Sequence, residues 1–215
     1  MKKITYTLLT DGSSDKTLMS IINWLFNNLL PTIPIEKQFA DLRILPNPPK
    51  ELDKRIAKAI ELYPCDILFV HRDAEQNKNP EEIHRKRSEE ISIGFGTRNE
   101  KLVKIIPIKM MEAWFLIDEI AIKKAADNRN SSFKINLPHH NKLESLTEPK
   151  KQLHQLLKDV SQKKGRRLDN FNVNIAVHII AENIEDYSIL RNLFSFQSFE
   201  NELKRALKEL KIAEF

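Results

Sequence analysis

The chain has 215 residues, 41% of them hydrophobic and 30% charged, and Lys plus Arg exceed Asp plus Glu by 35 − 30. That composition suits a folded protein with a full core and excludes a disordered chain as the default reading. A single cysteine, Cys65, leaves no internal disulfide and no cysteine-based zinc site, and no apolar run reaches the roughly 20 residues of a membrane span, so a cytoplasmic protein away from membranes is expected.

Two lysines precede the first apolar run, as in a signal peptide, but KITYTLL alternates with threonine and stops at Asp11, so residues 3–9 read as a strand. Asp11-Gly12 marks a turn, and Ser13 or Ser14 then caps a helix whose Leu18, Ile22, Leu25 and Leu29 fall at helical spacing. A second strand is expected over 41–45. Asn47-Pro48-Pro49 reads as a helix start, with Asn47 the cap, Pro48 the first helical residue, and Leu52, Ile56, Ile60 and Tyr63 the buried stripe. In residues 65–70, CDILFV, four apolar residues follow one another, as suits a central parallel strand covered on both faces. The charged segment 79–93 has only Ile83 and Ile91 to bury and is expected to form an exposed helix or an excursion, before the turn GFGTRN and a strand over 102–108. This alternation predicts an α/β fold with a mostly parallel sheet flanked by helices. From Met110 the pattern turns helical, with Asp118 a cap within MMEAWFLIDEIAIKKAAD, a polar connection over 127–148, and amphipathic pieces at 149–162, 170–191 and 198–212. The expected division is an α/β region over 1–109 and a mainly helical region over 110–215 packed on it.

In open α/β sheets ligands sit beyond the carboxyl ends of the strands, and two expected strands end in acids there. The first gives Asp11 within Asp11-Gly12-Ser13-Ser14-Asp15, and the third gives Asp73 and Glu75. If these strands are neighbours, their carboxylates converge, and a divalent cation relieves the repulsion between them. Hard oxygen donors without cysteine select Mg²⁺ or Mn²⁺, and such sites serve phosphoryl transfer.

An acid-Gly-x-Ser-acid turn after one strand and an acid-x-acid pair after a later buried strand resemble the TOPRIM domain of topoisomerases, primases and OLD-type nucleases. The sequence more closely resembles a prokaryotic TOPRIM-like group known as domain of unknown function 4276, through TDGSSD (10–15), HRDAE (71–75), PIKMMEAWFLID (107–118), EPKKQL (148–153) and SFQSF (195–199). The resemblance implies a TOPRIM- or Rossmann-like fold, Asp11 as metal ligand or general acid/base, Asp73 and Glu75 as metal ligands, and Glu112 as a further acid. Asp11 stands where the family has Glu, and Glu75 where it has Asp, so geometry at the site is the point most exposed to change. The resemblance further implies an Mg²⁺-dependent nuclease in a defence setting, working with a separate ATPase, since the chain lacks a Walker-type loop.

Blander readings compete at each position. Asp11-Gly12 is an ordinary turn dipeptide, and Asp15 suits a helix first turn. His71 is either a ligand or a hydrogen-bonded turn residue, Arg72 pairs with phosphate or with Asp73, His139-His140 reads as solvated loop, and Trp114 and Phe115 as core. Residues 149–167 carry seven cations (Lys150, Lys151, Lys158, Lys163, Lys164, Arg166, Arg167) against Asp159 alone. This window is either a solvated face or a phosphate-backbone clamp for nucleic acid without sequence preference. A catalytically degenerate TOPRIM-like binding or sensor module is the main alternative to the nuclease. A receiver-like phospho-acceptor is a third, disfavoured because Gly12 rather than a second acid follows Asp11.

Overall fold

The computed structural model describes residues 3–74 and 79–214. Four parallel strands form one sheet in the order β2-β1-β3-β4, with β1 at Ile4–Leu9, β2 at Ile35–Phe39, β3 at Ile67–His71 and β4 at Lys101–Ile105. Every residue of β3 is buried, as its unbroken apolar run requires of a central strand. The expected α/β architecture is therefore present.

Three local expectations are corrected. The second strand lies at 35–39 rather than 41–45. As an edge strand, IEKQF exposes Glu36 and Lys37 and so lacks an apolar run, while the Asp41 carboxylate takes the Arg43 N–H and turns 42–44 into a 3₁₀ segment. The first helix, α1 (Leu18–Leu29), is entered through a 3₁₀ turn at Ser14–Thr17 with no serine cap, because Asp15 bends back to accept from the Gly12 N–H and the Ser14 hydroxyl. The second, α2, runs Leu52–Leu62 with Glu51 before it. Pro49 disfavours helical geometry at Pro48, so the Asn47-Pro48-Pro49 stretch stays outside the helix.

The segment expected as an exposed helix or excursion is α3 (Pro80–Phe95), capped by Asn79, which buries Ile91 against α2. Met111–Phe115 form a 3₁₀ turn, and α4 (Glu119–Ala125) follows. The rest comprises α5 (Pro149–Ser161), the short α6 (Arg166–Asp169), α7 (Val173–Asn183) and α8 (Phe194–Glu209). The 127–148 connection is less loop-like than its polarity suggests, since Ile135 and Leu143 are buried and His140–Ser145 form a 3₁₀ turn.

One core joins the sheet to the helical region. Phe69 of β3 meets Tyr6 of β1 at 5.3 Å and Phe199 of α8 at 6.1 Å, and Trp114 packs on Phe196 at 5.4 Å. Trp114 and Phe115 are core residues, as expected. Helix α8 lies along β4, where the Glu202 carboxylate accepts from the backbone N–H of Lys104 at 2.7 Å and pairs with its ammonium at 3.0 Å. Among the described residues no helix is long and apolar enough to cross a membrane.

Asp118 caps α4 as its sequence position indicates, accepting from the Ala121 N–H at 2.9 Å. Asp118→Ala is expected to cost about 1 kcal/mol, read as a lower urea midpoint with an unchanged slope.

Candidate functional site

Strands β1 and β3 are neighbours in register, Leu9 opposite Val70, so the residues that follow them emerge side by side at the carboxyl edge of the sheet. Asp11 comes from the first, and His71, Arg72 and Asp73 from the second. Glu112 reaches the same edge from the 3₁₀ turn after β4.

Asp11 is half exposed and faces two guanidinium groups. Arg55 of α2 binds it while also donating to the Thr10 carbonyl at 2.6 Å, and the Arg72 Nε stands 3.5 Å away. Arg72 continues to Glu90 of α3 at 2.8 Å, so its partners are Asp11 and Glu90 rather than Asp73.

His71 is almost wholly buried between two carboxylates. Its Nε2 lies 3.2 Å from Asp73 Oδ1; its Nδ1 is 3.3 Å from Asp15 Oδ2, an ion-pair distance without hydrogen-bond geometry. Burial opposes the charged ring, but the flanking acids Asp15 and Asp73 outweigh it and lift the pKa from 6.5 to about 10. Asp15 is also desolvated, yet His71, Ser14 and Gly12 hold its carboxyl below the usual range. The two carboxylates thus favour the imidazolium form of His71. Asp73 Oδ1 also accepts from the Met111 N–H at 3.1 Å, which ties the end of β3 to the Glu112 turn.

Glu112 is buried, with Lys150 of α5 at 3.3 Å. Burial raises its pKa, Lys150 opposes that, and Asp73 adds to it, so the two carboxyl groups interact across the edge. The expected ligand Glu75 lies outside the described residues. Among the described residues no three or more His, Cys, Asp or Glu side chains gather at metal-ligand spacing. In donor chemistry the carboxylates Asp11, Asp73 and Glu112 fit a hard divalent cation.

The basic window is dispersed. Lys150 belongs to the acidic edge, Lys151 pairs with Glu148 at 3.4 Å, and Lys163 pairs with Asp127 at 3.2 Å while lying over the Phe171 ring. Lys158, Lys164, Arg166 and Arg167 are exposed. His139 and His140 contact one another at the start of the 3₁₀ turn His140–Ser145.

Two residues of the edge escaped the sequence reading. Asp15 carries a helix first-turn signature that hides its second role beside His71. Arg55 sits among other charged residues of α2, and nothing in its spacing points to Asp11.

These features define an α/β protein with a parallel four-stranded sheet whose carboxyl edge holds acids interleaved with the chain's own cations. No family model matches the chain, and no curated protein or solved structure matches it significantly.

Proposed function

We propose that the chain is a divalent-cation-dependent phosphoryl-transfer protein of TOPRIM type acting on nucleic acid. The observation that carries this reading is the emergence of Asp11 and Asp73 from adjacent strand ends, with Glu112 interacting with Asp73 from the third side. Asp11, Asp73 and Glu112, together with Glu75, would hold Mg²⁺ or Mn²⁺, which supplies neutralisation of charge on a phosphodiester. The chain's own residues bind and orient: Arg55 and Arg72 fix Asp11, Met111 fixes Asp73, and Lys150 partly offsets the burial that favours the neutral form of Glu112. Nucleic acid is the partner, the cytoplasm the setting, and any triphosphate-driven step in defence falls to a separate ATPase.

The path for the polyanion runs along α5. Lys150, His154 and Lys158 recur every four residues on one helix face, and partial burial, with the two lysines adding to it, lowers the His154 pKa. That face extends about 12 Å from Glu112 toward Lys164, Arg166 and Arg167. Lys158→Ala is expected to weaken DNA or RNA binding alike and to reduce the slope of log K against log salt by about 0.7–0.9. An unchanged slope would remove Lys158 from the path.

Calorimetry with Mg²⁺ or Mn²⁺ tests the proposal: wild type binds the ion and Asp73→Ala does not. A second reading, a binding or sensor module that cuts nothing, draws on the chain cation already matched to each described acid: Arg55 with Asp11, His71 with Asp73, Lys150 with Glu112. Wild type that binds nucleic acid but no divalent ion would establish this second reading instead.

A further inference from the structure

On the opposite side of Asp11 from Asp73 lies a cleft of about 320 Å³, walled by the ends of β1 and β2, the 3₁₀ turn at 42–44, the Pro48–Lys50 connection and α2. Its volume lies at the lower end of the roughly 300–1,000 Å³ typical of small-ligand pockets, so it suits one compact ligand. One wall is apolar and carries the half-buried Phe39 ring, Leu42 and Pro49. The polar side carries Lys50 and Arg55 beside Asp11, and Arg43, whose guanidinium is held by two hydrogen bonds to Asp41 at 2.9 Å. An apolar wall with cations on the same cleft suits a ligand with an apolar body and an attached anion.

We infer that this cleft binds a single nucleotide unit, its base against Phe39, Leu42 and Pro49 and its phosphate toward Lys50 and Arg55. In a nucleic acid this unit is a terminal nucleotide, which makes the substrate class a free strand end rather than an internal duplex position. Arg55 supplies the link to the acidic edge. It now spends its guanidinium on Asp11 and on the Thr10 carbonyl, so a phosphate entering the cleft competes with Asp11 for it. An Asp11 turned toward a cation releases Arg55 to the phosphate, and each event favours the other. The inference rests on the proposed cation site only for this coupling. Nucleotide binding in the cleft itself needs no metal.

Thymidine 5′-monophosphate titrated by calorimetry in EDTA is the test, with thymidine and inorganic phosphate as separate arms. Wild type is expected to bind the nucleotide, and thymidine and phosphate more weakly. Lys50→Ala, an exposed position outside the core, is expected to weaken nucleotide binding about tenfold through the lost charge-assisted contact. No binding by the folded wild type would overturn the inference. Phosphate binding as tight as that of the nucleotide, or full affinity in Lys50→Ala, would overturn it equally. Because the titration excludes metal, a failed cation proposal would show separately as absent Mg²⁺ heat with nucleotide binding intact.

Discussion

Asp73→Asn is expected to reduce Mg²⁺ or Mn²⁺ affinity by at least about 100-fold, with any phosphodiester hydrolysis falling with it. Outer partners of metal ligands are commonly worth about 10–100-fold, so a direct carboxylate ligand is worth no less than the upper figure. The substitution keeps the shape of the side chain, and an amide oxygen still accepts from the Met111 N–H. What it removes is charge beside the buried His71. His71 retains Asp15 and can shed its proton, so the stability cost in EDTA is about 2 kcal/mol rather than the larger loss of a stranded buried ion. Asp73→Ala is expected to cost more, because it also leaves the Met111 amide without its acceptor. Urea denaturation of the two variants in EDTA separates the charge from the hydrogen bond, and calorimetry reads the ion. Wild-type ion affinity in Asp73→Asn would remove Asp73 from the ligand set.

Stability is expected to fall as pH rises from 7 to 9, by up to about 3 kcal/mol over those two units, and His71→Gln is expected to remove most of that slope. The sign follows from His71, whose folded pKa of about 10 stands above its unfolded 6.5. Between those values the folded chain holds a proton that the unfolded chain releases. Its contribution is complete below pH 6.5 and lost as pH approaches 10. The other shifted histidines, His84 and His154, have lowered pKa values and weaken the fold only on the acid side, through pH 6.5. Burial pushes the Cys65 thiol from 9.0 up to about 11, which adds a smaller downward slope that begins below pH 9 and amounts to about 0.4 kcal/mol by that point. His71 therefore dominates the 7–9 window. Chemical denaturation of wild type and His71→Gln across it, in EDTA, is the measurement. A flat wild-type profile would mean that the ring is neutral in the folded protein.

The sheet was legible wherever burial was two-sided. ILFV in β3 has no other economical placement, and the acids following β1 and β3 could be paired once those strands were taken as neighbours. Edge strand β2 was misplaced because one exposed face gives it Glu36 and Lys37 instead of a run. The start of α2 failed for a local reason: two consecutive prolines look like a helix entrance, but the second denies helical geometry to the first. At the site, Asp11, Asp73 and Glu112 come to one edge from their strand ends and the following turn. Their cationic partners could not be read, since the pairing of Arg55 with Asp11 and of His71 with Asp15 depends on crossing distances that periodicity does not encode.

The carboxylate of Glu202, laid on the Lys104 amide, has a consequence for self-association. A sheet ending in an open strand offers its backbone donors to any extended peptide, including another copy of itself. Here one donor on the outer rim of β4 is already spent on a side chain of α8, and the Lys104 ammonium holds that carboxylate in place. At the other rim, Glu36 and Lys37 on β2 make an incoming strand desolvate charge. Neither rim welcomes a fifth strand, and the sheet ends where the chain ends it.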